Sequence, residues 1–149
     1  METIERATTR HAQALAPLFD AYRQFFTKKE NVAESLRFVQ ERLENDDSVF
    51  FIGSIDEHVC GFAQLYPIFS SWYAKRIWFL SDLYVTPSAR GRGIARRIIE
   101  RVKAFAKETG AASVMVELPK VEPHLYRFYE RLGFHQDKVF DLARYYPDV

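Results

Sequence analysis

Leu83-Tyr84-Val85-Thr86-Pro87-Ser88-Ala89-Arg90-Gly91-Arg92-Gly93-Ile94-Ala95-Arg96-Arg97-Ile98-Ile99 reads as a strand, a tight loop and the start of an amphipathic helix. Gly91 and Gly93 let the main chain turn sharply and approach a ligand closely. The loop runs directly into a helix start, where unpaired N–H groups and the positive end of the helix dipole point at one spot. Such a geometry holds a phosphate with backbone donors alone. The stretch therefore predicts a phosphorylated cofactor seated at the start of a helix near Gly93.

Two nucleotide-binding motifs compete for this loop. Gly91-x-Gly93-x-x-Arg96 has two of the three glycines of a dinucleotide fingerprint, with Arg where the third belongs. Glu117, ending Ser113-Val114-Met115-Val116-Glu117, stands about where such a fold places its ribose-binding acid. Only about thirty residues follow it, too few to complete a doubly wound sheet. No Gly-Lys-Ser/Thr occurs, which excludes a P-loop.

A third reading fits both the loop and its surroundings. Arg90-x-x-Gly93-x-Ala95 matches the Arg/Gln-x-x-Gly-x-Gly/Ala pattern of the GNAT acetyltransferases, and Asp82-Leu83-Tyr84-Val85-Thr86-Pro87 resembles the strand that precedes it. Downstream, Leu125-Tyr126-Arg127-Phe128-Tyr129-Glu130-Arg131-Leu132-Gly133-Phe134 resembles the second hallmark of that family. The resemblance implies an α/β (α+β) GNAT fold: a mixed central sheet with splayed strands four and five, flanked by about four helices.

The remaining pattern follows the same order. Thr3 to Ala7 reads as a first strand, with Thr8 or Thr9 capping a helix that carries Leu15, Leu18, Phe19, Tyr22, Phe25 and Phe26 at helical spacing. A second helix runs from about Val32 to Glu44. Val49 to Ile55 and Val59 to Tyr66 form a hairpin, Pro67 to Ala74 a loop, and Ile77 to Val85 the central strand. The motif helix ends at Gly110. A strand over Ala112 to Leu118, a short helix over Pro123 to Leu132 and a final hairpin over Phe134 to Tyr145 complete the chain.

Composition sets bounds on function. With 149 residues, 1–149 reads as a single domain. A net charge of +1 argues against general nucleic-acid binding. Arg97 and Arg101 read as a solvated helix face, whereas Arg92 and Arg96 lie beside the phosphate loop. The single cysteine, Cys60, excludes an internal disulfide and suits a reducing, cytoplasmic compartment. Nothing resembles a signal peptide or a membrane span, so no membrane partner is expected. No metal site is expected either.

The resemblance also implies chemistry. Acetyl transfer from acetyl-CoA to an amine needs a polarised thioester carbonyl, a neutral amine and a proton for the departing thiolate. Coenzyme A would lie between strands four and five. Main-chain groups of Leu83 and Val85 would bond its arm, and an N–H near Leu83 or Tyr84 would polarise the carbonyl. N–H groups from Arg90 through Gly91, Arg92, Gly93, Ile94 and Ala95 would hold the pyrophosphate, beside Arg96. Tyr129 occupies the family's general-acid position, with Tyr126 one turn earlier as second choice and cofactor neighbour.

The base stays open between two carboxylates. Asp82 interrupts an apolar strand, where a buried acid is costly without a partner or a task; Glu117 ends the next strand. Tyr22 and Phe26 from the first helix pair, with Trp72 from the loop after strand three, would wall the acceptor. That acceptor is a small-molecule amine or a lysine-containing peptide. The Asn that many GNAT proteins carry after strand five is replaced here by Lys120-Val121-Glu122-Pro123. Homodimers are frequent in that family, and Phe140, Tyr145 and Tyr146 offer contact area. The alternative function is a non-catalytic acyl-CoA-binding module of the same fold.

Overall fold

The computed structural model describes residues 1–148, which group into a first compact unit, Met1–Glu117, and a second beginning at Leu118. In the first unit, β1 (Glu2–Arg6) is followed by helices α1 (Ala12–Thr27) and α2 (Val32–Asn45). Strands β2 (Val49–Ile55), β3 (His58–Ser70) and β4 (Lys75–Val85) come next, then α3 (Ile94–Glu108) and the short β5 (Val114–Val116). The five strands lie in sequence order and are antiparallel, except for the parallel β4–β5 pair.

The sheet is covered on both faces, so its inner strands are apolar runs and not alternations. Neighbouring Phe50 and Phe51 on β2 point to opposite sides. Phe50 meets Phe19 of α1 at 6.2 Å, and Phe51 meets Phe105 of α3 at 5.3 Å. Phe62 and Tyr84 continue the α1 side, and Trp78 continues the α3 side by packing on Phe105. The Trp78 indole N–H donates to Thr109 Oγ1 at 2.9 Å, which ties β4 to the end of α3.

The two first helices are pinned by Asp20, which is buried on α1. It accepts from Ser35 Oγ at 2.7 Å and from the Asn31 backbone N–H, while Asn31 caps α2 through the Glu34 N–H. A buried carboxylate is tolerated when several donors saturate it.

The second unit holds α4 (Pro123–Arg131). Its C-terminus closes with paired reverse bonds, Gly133 N–H to the Glu130 carbonyl and Phe134 N–H to the Tyr129 carbonyl, both at 3.0 Å. Gly133 takes the left-handed φ of +89° that this closure needs. The Phe134 ring packs on Tyr129 at 5.2 Å, the apolar contact that accompanies such a cap.

The structure departs from the sequence reading in two places. β3 and β4 continue as one hairpin through the expected loop, with Pro67 opposite Trp78 and Ile68 opposite Ile77. Pro67 is tolerated because β2 ends its pairing at Leu65, so β3 has only one neighbour there. The expected final hairpin over Phe134 to Tyr145 is absent, and no strand follows Val116 among the described residues. Asp137 accepts from the N–H groups of Val139 and Phe140, at 2.7 and 3.1 Å, a local turn that competes with strand pairing. Among the described residues no helix is long and apolar enough to cross a membrane, and none of the acidic, His and Cys side chains cluster as a metal site.

Candidate active site

β4 departs from its parallel neighbour halfway along. The ladder to β5 ends at Leu80 opposite Val116, while β4 runs on to Val85. Residues Ser81 to Val85 therefore have one edge without a strand neighbour, as the expected splay requires. The main-chain groups of Leu83 and Val85 point to this edge, whereas those of Tyr84 point to β3, in phase with the Thr86 N–H that donates to the Cys60 carbonyl at 2.8 Å.

A β-bulge marks the departure. On β3, Gln64 and Leu65 are consecutive and face opposite ways. Their partners on β4 are Asp82 and Leu80, two apart, so Ser81 is the extra residue. The bulge turns Asp82 from the α3 side to the α1 side, re-aiming one side chain at the point where pairing ends.

Asp82 is half-buried there and accepts bonds from the hydroxyls of Tyr22 and Ser81. Burial pushes its carboxyl above the usual range, outweighing those bonds, and the negative charge of Glu117 adds to the rise. Glu117 is the first residue past the β5 ladder. The two carboxylates thus stand on the two lips of the splay.

Tyr66, two residues beyond Gln64, is held protonated: burial, then the Asp82 charge, pushes it up to about 12. Gln64 is fully buried. Its Nε2 donates to Ser48 Oγ at 3.1 Å, and its Oε1 has no partner among the described residues. Gln64, Tyr66 and Ser81 are additions that the sequence reading missed. A polar residue in the apolar run Phe62 to Leu65 was the available signal for Gln64; nothing local marked the bulge.

The pH dependence of Asp82 has a definite sign. Its folded pKa is raised, so ionisation opposes folding. That cost is absent below the unfolded value of about 3.9 and grows as pH rises towards the raised folded value. Asp82→Asn is expected to raise Tm at pH 7, by about 2–4 °C for each kcal/mol relieved. Calorimetry should show the gain shrinking towards pH 4.

Past Val85 the chain makes a turn (Pro87–Ala89) and enters the glycine loop. Gly91 and Gly93 both have φ of +80°, and neither would bring a Cβ within 4 Å of another group. The Arg97 N–H donates to the Gly93 carbonyl, and α3 has no side-chain cap. The N–H groups of Ile94, Ala95 and Arg96 are thus left without intrahelical acceptors. Arg90 is used internally: its N–H donates to the Pro87 carbonyl at 3.3 Å and its Nε to the Val85 carbonyl at 2.9 Å. Its guanidinium lies over the Tyr84 ring.

Arg92 and Arg97 share one carboxylate. Arg92 Nε lies 3.2 Å from Glu2 Oε1, and Arg97 Nη1 donates to Glu2 Oε2 at 3.0 Å. Arg97 is therefore tied to β1 while its side chain stays 41% exposed to solvent. Cys60 is buried and its thiol is pushed up by burial, which leaves it inert.

On the α1 side, the Tyr22 ring meets Phe26 at 5.4 Å and Tyr84 at 6.3 Å, which brings both expected α1 residues to the Asp82 side of the splay. Trp72 is set apart, stacked on Tyr73 in the turn that joins β3 to β4. The seven residue steps from Lys75 to Asp82 span about 23 Å of strand. Within the second unit, Tyr129 is buried, and burial drives its phenol well above the usual range. Tyr126, half-buried one turn earlier, donates to the Leu118 carbonyl at 3.4 Å.

The sequence profile of the "Acetyltransferase (GNAT) family" matches residues 15–134. An uncharacterized N-acetyltransferase of Bacillus subtilis, YhfO, is 36% identical over 137 residues, 92% of either chain. A crystal structure of a probable acetyltransferase is 35% identical and superposes with a TM-score of 0.89, covering 96% of this chain and 97% of the other. An aminoglycoside N-acetyltransferase in complex with CoA shares the fold at a TM-score of 0.79 and 21% identity, covering 97% of this chain and 95% of the other.

Proposed function

The chain belongs to the GNAT acetyltransferase family, as an acyl-CoA-dependent N-acetyltransferase using acetyl-CoA, and from that premise we propose that it acetylates a primary amine by direct attack in a ternary complex. The acceptor class spans small cationic amines, amino acids and lysine side chains. The observation that carries this reading is the open edge of β4 from Ser81 to Val85, running directly into the uncapped start of α3. An extended arm fits the one and an anionic pyrophosphate the other.

Acetyl-CoA, when bound, supplies an activated acyl thioester. Main-chain groups of Leu83 and Val85 bond its arm, and the Leu83 N–H polarises the thioester carbonyl. One such donor contributes about 3 kcal/mol to the transition state. The N–H groups from Gly91 to Arg96 hold the pyrophosphate, with Arg92 and Arg96 beside it. Asp82, with Glu117 across the splay, takes the proton of an amine that is only about one part in a thousand neutral at pH 7. The raised pKa of Asp82 makes it a stronger base than an ordinary carboxylate. Tyr129 gives a proton to the departing thiolate.

The residues 1–149 are read as one cytoplasmic domain able to form a homodimer. Its lone, buried thiol suits a reducing compartment. Initial rates measured against both substrates test the ternary complex. Intersecting double-reciprocal lines are expected; parallel lines would mean that the acetyl group is parked on the protein first, and the direct-attack reading would fall.

A further inference from the structure

We infer that Tyr22 is a positioning residue for acetyl transfer: its hydroxyl, carried in from α1, holds the Asp82 carboxylate in place and in its basic form. This inference rests on the proposed function, because it concerns the base of that same site.

Packing fixes where the hydroxyl stands. Phe19 of α1 packs on Phe50 and Phe62 at 6.2 and 5.8 Å, and the next residue, Asp20, is saturated by Ser35 and Asn31. The helix is thus anchored to the sheet and to α2 at once. Tyr22, one turn after Phe19, meets the sheet at a set depth. Its ring stands edge-on to Phe62 of β3 at 6.0 Å and to Tyr84 of β4 at 6.3 Å, and Phe26 closes against it at 5.4 Å. These are separations and tilts that aromatic pairs favour. A ring held on three sides has little rotamer freedom left to lose when its hydroxyl bonds.

The sheet delivers Asp82 to the same place. The bulge at Ser81 turns its side chain to the α1 side, where it accepts from the hydroxyls of Ser81 and Tyr22. The Ser81 bond is local and moves with β4. The Tyr22 bond joins two elements and ties this lip of the splay to the helix.

The other groups around Asp82 do not do this. Burial and then the Glu117 charge favour the protonated carboxyl, and Glu117 has a partner of its own. Tyr66 of β3 faces Asp82 as a neutral phenol, with Arg42 of α2 and Asp47 of the following turn acting on it in opposite senses. Arg90 lies over the Tyr84 ring, with its Nε bound to the Val85 carbonyl. A carboxyl that is already protonated cannot take a proton from an ammonium group. The hydroxyls that favour its ionised form therefore decide how much of Asp82 is competent.

The first test follows Asp82 itself and needs no acceptor. The carboxyl carbon signals of isotope-labelled aspartate are titrated by NMR in the wild type and in Tyr22→Phe, the Asp82 signal being the one missing from Asp82→Asn. Tyr22→Phe keeps the ring and removes one hydroxyl. The Asp82 midpoint should rise by about one pH unit, the worth of one hydrogen bond to a charged group. An unmoved midpoint overturns the inference. The second test measures acetylation of pooled propylamine, spermidine and lysine at saturating acetyl-CoA across the same pH range. The ratio of wild-type to variant rate cancels the ionisation of the amine. Tyr22→Phe should lose up to about tenfold at the acid end, with the loss shrinking as pH rises through the Asp82 midpoint. A loss equal at every pH is what a ring that only packs would give, and it overturns the inference. If the midpoint moves but no amine is acetylated although acetyl-CoA binds in a parallel titration, the proposed function fails and the positioning role falls with it.

Discussion

Gly93→Val is expected to weaken acetyl-CoA binding by about 100-fold, measured by titration calorimetry, with the fold retained by circular dichroism. The reason is conformational. Gly93 sits at φ of +80° as the residue that starts α3, and a Cβ there would touch nothing within 4 Å. The substitution creates no clash with a neighbour. It places a β-branched residue in the left-handed region, which costs about 1–2 kcal/mol even for simpler side chains. The loop relieves that cost by rotating, and the N–H groups of Gly91 to Arg96 then no longer converge. Because the donors act as a set, misaligning them costs more affinity than losing any one bond. The α3 core contacts of Ile94, Ile98 and Phe105 do not depend on the loop, so the helix stays docked. Affinity within threefold of the wild type would mean that this loop is not the phosphate cradle.

Tyr129→Phe is expected to lower kcat by about 100-fold, the lower end of what a positioned acid contributes, with KM for acetyl-CoA changed little. The substitution keeps the ring, so the packing on Phe128 at 5.1 Å and on Phe134 at 5.2 Å survives. The paired backbone bonds that close α4 run through the Tyr129 carbonyl and survive as well. What is removed is one hydroxyl. Burial raises its pKa, so it remains protonated across the whole neutral range, as a proton donor must. The wild type should accordingly show no loss of kcat from this group between pH 7 and 9. If Tyr129 only packs, the phenylalanine variant turns over at the wild-type rate.

Local chemistry made part of this molecule legible in advance. Gly91 and Gly93 announce a loop that side chains cannot make, and Tyr-Glu-x-x-Gly-Phe over 129 to 134 spells out a helix closure whose Gly and Phe have separate jobs. The order of elements up to α4 follows from apolar periodicity together with cap and turn residues such as Thr8 and Gly110. The misses share a cause, which is that they depend on pairings distant in sequence or on a single competing bond. A bulge adds one residue without changing composition, so Ser81 gave no sign that Asp82 would turn towards α1. Glu2 meets Arg92 and Arg97 from the other end of the chain, and no spacing rule connects them. Pro67 looked like a strand end because its neighbour count there could not be known. The alternation after Phe134 looked like a hairpin, and the side chain of Asp137 decided otherwise.

The most direct measurement is mass spectrometry of a pooled amine panel, with 2-phenylethylamine, polyamines, amino acids of both hands, aminoglycosides and lysine peptides, incubated with acetyl-CoA and the protein. The account predicts a product about 42 mass units heavier, one acetyl group, on a primary amine, formed only when the protein is present and reduced about 100-fold with Tyr129→Phe. Acetyl-CoA that binds but yields no acetylated amine would contradict the account.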